Sequence, residues 1–208
     1  MMMKRLYVII CMSVLSLTVM ARQLSEQDMI KAIARSAEAV STLQCDIVQT
    51  KHMRMMRRDM VSKGSMKYCR PDRLRWEYTS PYAYTFLLNG TKVVLCKDGG
   101  KDVVDVARNK MMKEITSVMI GTMTGTALTD AGAFEASVKD DGQYWIVTLL
   151  PRKKDLRRMY TTILLMYNPG TGNTERVEMT EKNGDRTVIE LTNIVKDKDI
   201  DAKVFQVD

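Results

Sequence analysis

Few side chains in this chain are equipped to make or break a covalent bond. His52 is its one histidine, so no histidine-based triad or multi-histidine metal cluster can be assembled. The sequence contains no G-x-S-x-G, no H-E-x-x-H and no phosphate-binding glycine loop. Asp140-Asp141 and the acids of Lys196-Asp-Lys-Asp199-Ile-Asp201 fall in turn-forming segments, where paired carboxylates are solvated rather than tuned for proton transfer. The expectation is a protein that is not an enzyme and holds no cofactor or metal. What its residues do support is the burial of apolar matter. Thirteen methionines follow residue 21, against three phenylalanines, and methionine is unbranched and pliable enough to fit guests of different shape. Met112, Ile115, Met119 and Met123 recur at three- and four-residue steps, with Met111 and Val118 beside them. That is the spacing of one helix face, and it suits an ordinary core as well as a wall for a guest.

The stretch Gly64-Ser-Met66-Lys-Tyr68-Cys-Arg70-Pro71 carries a second signal. Met66, Tyr68 and Arg70 sit two apart, so one strand face bears two apolar groups and then a guanidinium. Pro71 ends that strand because it offers no N–H to a ladder. A new alternation follows at Leu74, Trp76 and Tyr78 and stops at Pro81. Arg70 therefore sits at the join and points where the apolar face points, a costly place for a charge without partners. The alternative is an edge arginine that snorkels to water. A third cluster is Lys51-His-Met-Arg54-Met-Met-Arg57-Arg58, which reads as a polar hairpin tip with a solvated histidine. It lacks the aromatic groups that stack on single-stranded nucleic acid. Lys51, Arg54, Arg57 and Arg58 are candidates for contact with a membrane or a membrane-bound donor; otherwise they keep a sheet edge soluble.

Elements must position these groups. Ser25 with Asp28 three residues on opens a helix, and Met29, Ile30, Ile33, Ala37 and Val40 continue it at helical spacing to about Val40. Strands are expected near 43–52, 60–70, 73–79, 83–88 and 91–97, the last two joined by Asn89-Gly90. Further strands fall near 134–139, 143–150, 159–167, 173–181 and 185–194, divided by Asp141-Gly142, Pro169-Gly170 and Asn183-Gly184. Between Val103 and Gly125 helical spacing takes over, interrupted by Gly121 and Gly125. Ten or so short strands in meander order imply one large antiparallel sheet that must curl to bury a single face.

Lys4 and Arg5 precede an uncharged run from Leu6 to Met20, and Val19 and Ala21 are small residues suited to cleavage after Ala21. Residues 1–21 thus read as a secretory signal peptide, with Cys11 lost alongside it, and 22–208 as a single domain. The full chain carries a net charge of +7, and removing Lys4 and Arg5 leaves +5. Such a surplus suits approach to anionic head groups but specifies nothing by itself. Cys45, Cys69 and Cys96 remain, with no C-x-x-C pair. A Cys69–Cys96 disulfide is open to the chain if their strands are neighbours; three unpaired thiols is the other reading.

In order, Cys45-Asp-Ile47-Val-Gln49, Arg70-Pro71 with Trp76, and Asn89-Gly90 resemble the outer-membrane lipoprotein carrier family, whose members show F-x-Q, K-R-P-x-x-x-x-W and D-G-K. Leu149-Leu150-Pro151-Arg-Lys153, Leu191-Thr-Asn193 and the terminal Phe205-Gln-Val-Asp208 extend the likeness. Ile47, Asn89 and Val93-Val-Leu95 depart from it, the last where W-x-Y is common. The resemblance implies a mainly β fold with helices (α+β), an incomplete antiparallel barrel of ten to eleven strands closed by an N-terminal helix and an inserted helical lid. It implies a monomeric periplasmic carrier that takes lipid-anchored lipoproteins from an inner-membrane ABC transporter of the Lol type and delivers them to an outer-membrane acceptor or membrane, without nucleic acid. Ile47, Met66, Tyr68, Leu74, Trp76 and Phe86 from the sheet, with Met112, Ile115 and Met119 from the lid, would line its acyl-chain cavity. Arg70 would latch the lid through backbone carbonyls. A related module that senses lipids or lipoproteins without ferrying them is the competing reading.

Overall fold

A computed structural model describes residues 24–206, so the expected leader at 1–21 and its cleavage site lie outside the described residues. The chain enters through helix α1, Glu26–Glu38, whose N-cap Ser25 accepts a hydrogen bond from the Asp28 amide and donates one to its carboxylate. Met29, Ile33 and Ala34 are its buried stripe. Five antiparallel neighbours follow β1, Thr42–His52: β2, Met60–Cys69; β3, Arg73–Ser80; β4, Tyr84–Asn89; β5, Lys92–Lys97; and β6, Gly100–Asp105. The chain then forms helices α2, Lys110–Thr124, and α3, Thr126–Thr129. It returns through β7, Phe134–Asp140; β8, Trp145–Pro151; helix α4, Lys154–Met159; β9, Tyr160–Asn168; β10, Asn173–Glu181; and β11, Arg186–Lys196. A 3-10 turn, Ala202–Phe205, packs on the outer face of β3 and β4, where Asn89 donates to the Phe205 carbonyl.

The sheet order is β6-β5-β4-β3-β2-β1-β11-β10-β9-β8-β7. β1 lies in the middle and each half meanders outward, so β6 and β7 are unpaired edges of one open, eleven-stranded sheet. Topology then dictates where the insertion goes. Residues 106–133 must carry the chain from one edge to the other, and α2 and α3 do so across the concave face. Beneath them lie two cores. One joins α1 and α3 to β7–β9 through Leu128, Phe134, Val147, Leu149 and Ile163; the other is built on β1–β5 from Ile47, Met66, Tyr68, Leu74 and Val93. Val177 and Met179 of β10 touch both.

Three local features differ from the sequence expectation. β6 takes residues 100–105, the last three of which were expected to begin the helical stretch: Asp98 and Gly99 both adopt positive φ (50° and 77°) and turn the chain back onto β5. Gly121 does not interrupt α2; it is buried inside it and lets Ala127 of α3 approach, since a Cβ there would sit 3.3 Å from that of Ala127. The helix ends at Gly125, in the left-handed C-cap conformation. Helix α4 was not expected, because Leu156 is its single buried anchor and no periodicity announces it.

Candidate functional site

Between the two cores, under α2, lies a cavity of about 240 Å³. Trp76 and Tyr78 of β3 and Tyr84 and Phe86 of β4 form one wall. Ile163, Val177, Met179, Ile189 and Leu191 of β9–β11 form the other, and Ile115, Val118, Met119 and Met123 roof it. A smaller space of about 80 Å³ shares Thr122, Met123, Val177 and Leu191 with it and reaches α1 at Ile33, Ala37 and Val40. Tyr78 stacks on Tyr84 at 6.3 Å and donates its hydroxyl hydrogen to Gln49 Oε1 at 2.7 Å. Burial pushes the Tyr78 phenol up to about 12 and raises Tyr84 and Tyr160 as well, so these rings are neutral walls. In the smaller space Lys196 donates to the Gly172 carbonyl, and burial lowers its pKa from the ordinary lysine value.

The roof is seated lightly. The residues of α2 that are fully buried are small or medium in size: Thr116, Val118, Gly121 and Thr124. Its large side chains at Met112, Ile115, Met119 and Met123 stay half-buried. Moving the helix outward would therefore cost less apolar burial than the sequence stripe suggests. A peripheral tie joins α2 to the residue before α4, where Lys153 Nζ stands 3.7 Å from Glu114 Oε2, too far for a hydrogen bond.

The expected lining residues divide. Trp76, Phe86, Ile115 and Met119 do face the larger cavity, and Met66 reaches the smaller one. Ile47, Tyr68 and Leu74 are not among the walls: at 1%, 0% and 0% exposure they are embedded in the core beside the cavity. Met112 packs on that same core. Alternation identifies the face of a strand, but the covering elements decide whether space remains above a given residue. Tyr78, Tyr84 and Tyr160, together with the β10–β11 wall, went unpredicted. Their signal was present in the alternation Val177/Met179 and Ile189/Leu191.

Arg70 points inward as its parity requires, and two of its donors find backbone carbonyls. Nε donates to the Val40 carbonyl at 3.0 Å and Nη2 to the Ala37 carbonyl at 2.9 Å. Both acceptors belong to the C-terminal end of α1 and the residues just after it, not to the inserted helix. A guanidinium there adds a charged donor to the Ala37 carbonyl, which also accepts from the Val40 amide, and opposes the negative end of the helix dipole. That end of α1 in turn meets the roof. A Cβ on Gly125 would lie 3.0 Å from both Ala34 Cα and Ala37 Cβ, so glycine permits α1 and the α2–α3 junction to touch.

β1 continues through Lys51 and His52, as expected of the strand near 43–52, so only the residues from 53 onward form the basic tip. Lys51 pairs with Glu181 at 2.9 Å and His52 with Asp59 at 2.8 Å. Arg54 lies along the β10–β11 turn, with its amide on Asp185 and its guanidinium reaching the Asn183 carbonyl. Arg57 and Arg58 are exposed. The three cysteines are unbridged. Cys69 on β2 and Cys96 on β5 have β3 and β4 between them, which removes the adjacency a disulfide needed. Cys45 is buried and its thiol is pushed up to about 12 by desolvation, whereas Cys69 and Cys96 are half-exposed. A maleimide reagent applied to residues 22–208 should therefore add two labels under native conditions and a third only in denaturant, as counted by intact-mass spectrometry. Native labelling of Cys45 at the rate of the other two would contradict this packing.

Comparisons with known proteins agree with this architecture. The sequence profile of the family described as outer membrane lipoprotein carrier protein LolA matches residues 38–208. An outer-membrane lipoprotein carrier protein of Methylococcus capsulatus is 28% identical over 170 residues, covering 81% of this chain and 78% of that protein. Among solved structures, an uncharacterized conserved protein from Thermus thermophilus superposes with a TM-score of 0.54 at 6% identity, covering 88% of this chain and 93% of the other. The MucA/MucB complex of Pseudomonas aeruginosa gives 0.52 at 10% identity, covering 87% and 60%. The structural matches speak for the fold alone. With a profile match over most of its length and an open sheet roofed by an inserted helix, the chain belongs to the LolA family of outer membrane lipoprotein carrier proteins.

Proposed function

We propose that this protein is a periplasmic carrier, exported by a leader cleaved after Ala21. It would take the acyl chains of lipid-anchored proteins from an inner-membrane ABC transporter and deliver them to the outer membrane. The observation that carries the reading is the aromatic- and methionine-walled cavity under a lightly seated helix. Each acyl methylene gains roughly 0.8 kcal/mol on leaving water, so a dozen unburied ones oppose aqueous transfer by on the order of 10 kcal/mol. A carrier must match that burial and still let go. The cavity of about 240 Å³ falls short of the ~300 Å³ at which ligand pockets for drug-sized molecules begin. Loading therefore requires α2 to lift, and half-buried methionines can stay in contact with the guest as it does. In this reading Arg70 is a latch that acts through α1, which it holds down and which abuts the roof at Gly125.

Mass spectrometry of protein isolated natively from the periplasm should find co-purifying lipoproteins or acyl chains. Recovery of the protein repeatedly free of both would count against a carrier. A sheet substitution sharpens the test. Val177 lines both spaces, and Val177→Phe would fill the passage between them from a wall that does not move. Affinity for a fluorescent acyl probe should fall at least about tenfold, close to the 1.4 kcal/mol that a factor of ten represents. The thermal midpoint should shift little, because empty space accepts the ring. Unchanged probe affinity with an intact fold would place the acyl site elsewhere.

A further inference from the structure

Charge is segregated along the strand axis. At the end where β1 passes to β2, the connections 53–59, 81–83, 98–99, 130–133, 152–159 and 182–185 hold nine arginines and lysines and five aspartates. The connections at the other end hold three basic and five acidic residues among the described residues. Antiparallel pairing fixes which turns share an end, so this polarity belongs to the fold. Direct contacts gather the basic segments into one surface: the Arg54 amide bonds Asp185, and the Lys182 amide bonds the Met159 carbonyl. The larger cavity lies in the same half of the sheet, since Gln49, Tyr160 and Met179 line it within four residues of those connections.

The basic end also exposes apolar tips. Met55 is 96% exposed, Met56 59% and Tyr82 71%, with Met60 and Val61 beside them on β2. Methionines standing clear of a sheet among arginines are out of place on a surface that meets only water. We propose that this end docks directly on an anionic phospholipid surface, with Arg57 and Arg58 at the phosphates and Met55 and Met56 entering the interface, so that the half of the sheet holding the cavity lies nearest the bilayer. Charge complementarity selects a membrane of this kind: a net-positive rim is attracted to anionic lipid, and a flexible sulfur-bearing side chain enters an interface without fixed geometry. This deepens the carrier reading, but its test uses no cargo, so either can fail alone.

The test is flotation of the mature protein with vesicles of phosphatidylcholine, with or without phosphatidylglycerol. The protein should float with the anionic vesicles only and be released by salt. Each basic residue held near an anionic surface is worth about fivefold in partitioning, so Arg57→Glu with Arg58→Glu should weaken binding by about 25-fold or more. Met55→Ser with Met56→Ser should weaken it at every salt concentration while leaving the salt dependence in place. Lys198→Glu, at the far end of the strands, should change nothing. Binding to neither vesicle, equal binding to both, or an Arg57/Arg58 variant that floats like the parent would overturn the proposal. The last of these would assign the basic end to a protein partner instead.

Discussion

Gly64→Ala is expected to cost this protein about 4 kcal/mol, a large share of the roughly 5–15 kcal/mol that keeps a typical domain folded. A Cβ built on Gly64 would lie 1.8 Å from the Glu77 carbonyl oxygen, 2.7 Å from its carbon and 2.8 Å from Tyr78 Cα. All three obstacles are backbone, so no side chain can rotate away. β2 and β3 would have to part by more than an ångström at the position where their register already slips, between Lys63 and Gly64. Downstream, the same pairing aligns Met66 with Trp76 and Tyr68 with Leu74, so the separation would loosen a core layer and a cavity wall together. Gly142→Ala is the control. It too gains one methyl, but it sits in the β7–β8 turn with φ of 92° and nothing within 4 Å, so it should lose only the roughly 1–2 kcal/mol of a left-handed alanine. Urea unfolding of both variants, compared by midpoint at constant slope, checks the claim. Equal midpoints would mean that β2 and β3 approach less closely at Gly64 than described.

The contrast between those two glycines shows what a sequence discloses and what it withholds. Strand identity was legible from alternation, and α1 from its cap and spacing, because both depend on neighbours a few residues away. Parity correctly aimed Arg70 and Trp76 inward for the same reason. The partner of Arg70 was not legible: Val40 and Ala37 lie 30 and 33 residues upstream, and their approach depends on how α1 docks. Nor was the Tyr78–Gln49 hydrogen bond, which joins residues 29 positions apart across β2. Depth was hidden too. Leu74 and Trp76 share one strand face, yet Leu74 is sealed in the core while Trp76 borders the cavity. β6 could have been read from Asp98-Gly99, whose hairpin signal was overridden by the methionine periodicity that follows it.

Arg70→Leu should link two measurable changes of similar size. The guanidinium makes two charge-assisted hydrogen bonds, to the Ala37 carbonyl of α1 and to that of Val40 just after it, and at a half-exposed site the pair together is worth about 2 kcal/mol. Losing it should lower the stability of the empty protein by that amount and raise amide exchange in the last turn of α1. The effect on cargo has the opposite sign. If loading lifts the α1–α2 roof, those bonds break whenever a guest enters, and a variant that never makes them is spared the loss. Affinity for an acyl probe should then rise by roughly 30-fold, the equivalent of 2 kcal/mol, with correspondingly slower transfer to acceptor vesicles. Arg70→Lys should fall between, since an ammonium on a flexible stem cannot hold both carbonyls in the geometry of a planar fork. A cap without a latch predicts a different pairing: the same stability loss, but unaltered probe affinity, because the bonds would then persist with cargo aboard. Measuring stability and affinity on the same preparation separates the two, and only the reciprocal change is consistent with Arg70 holding the empty cavity shut.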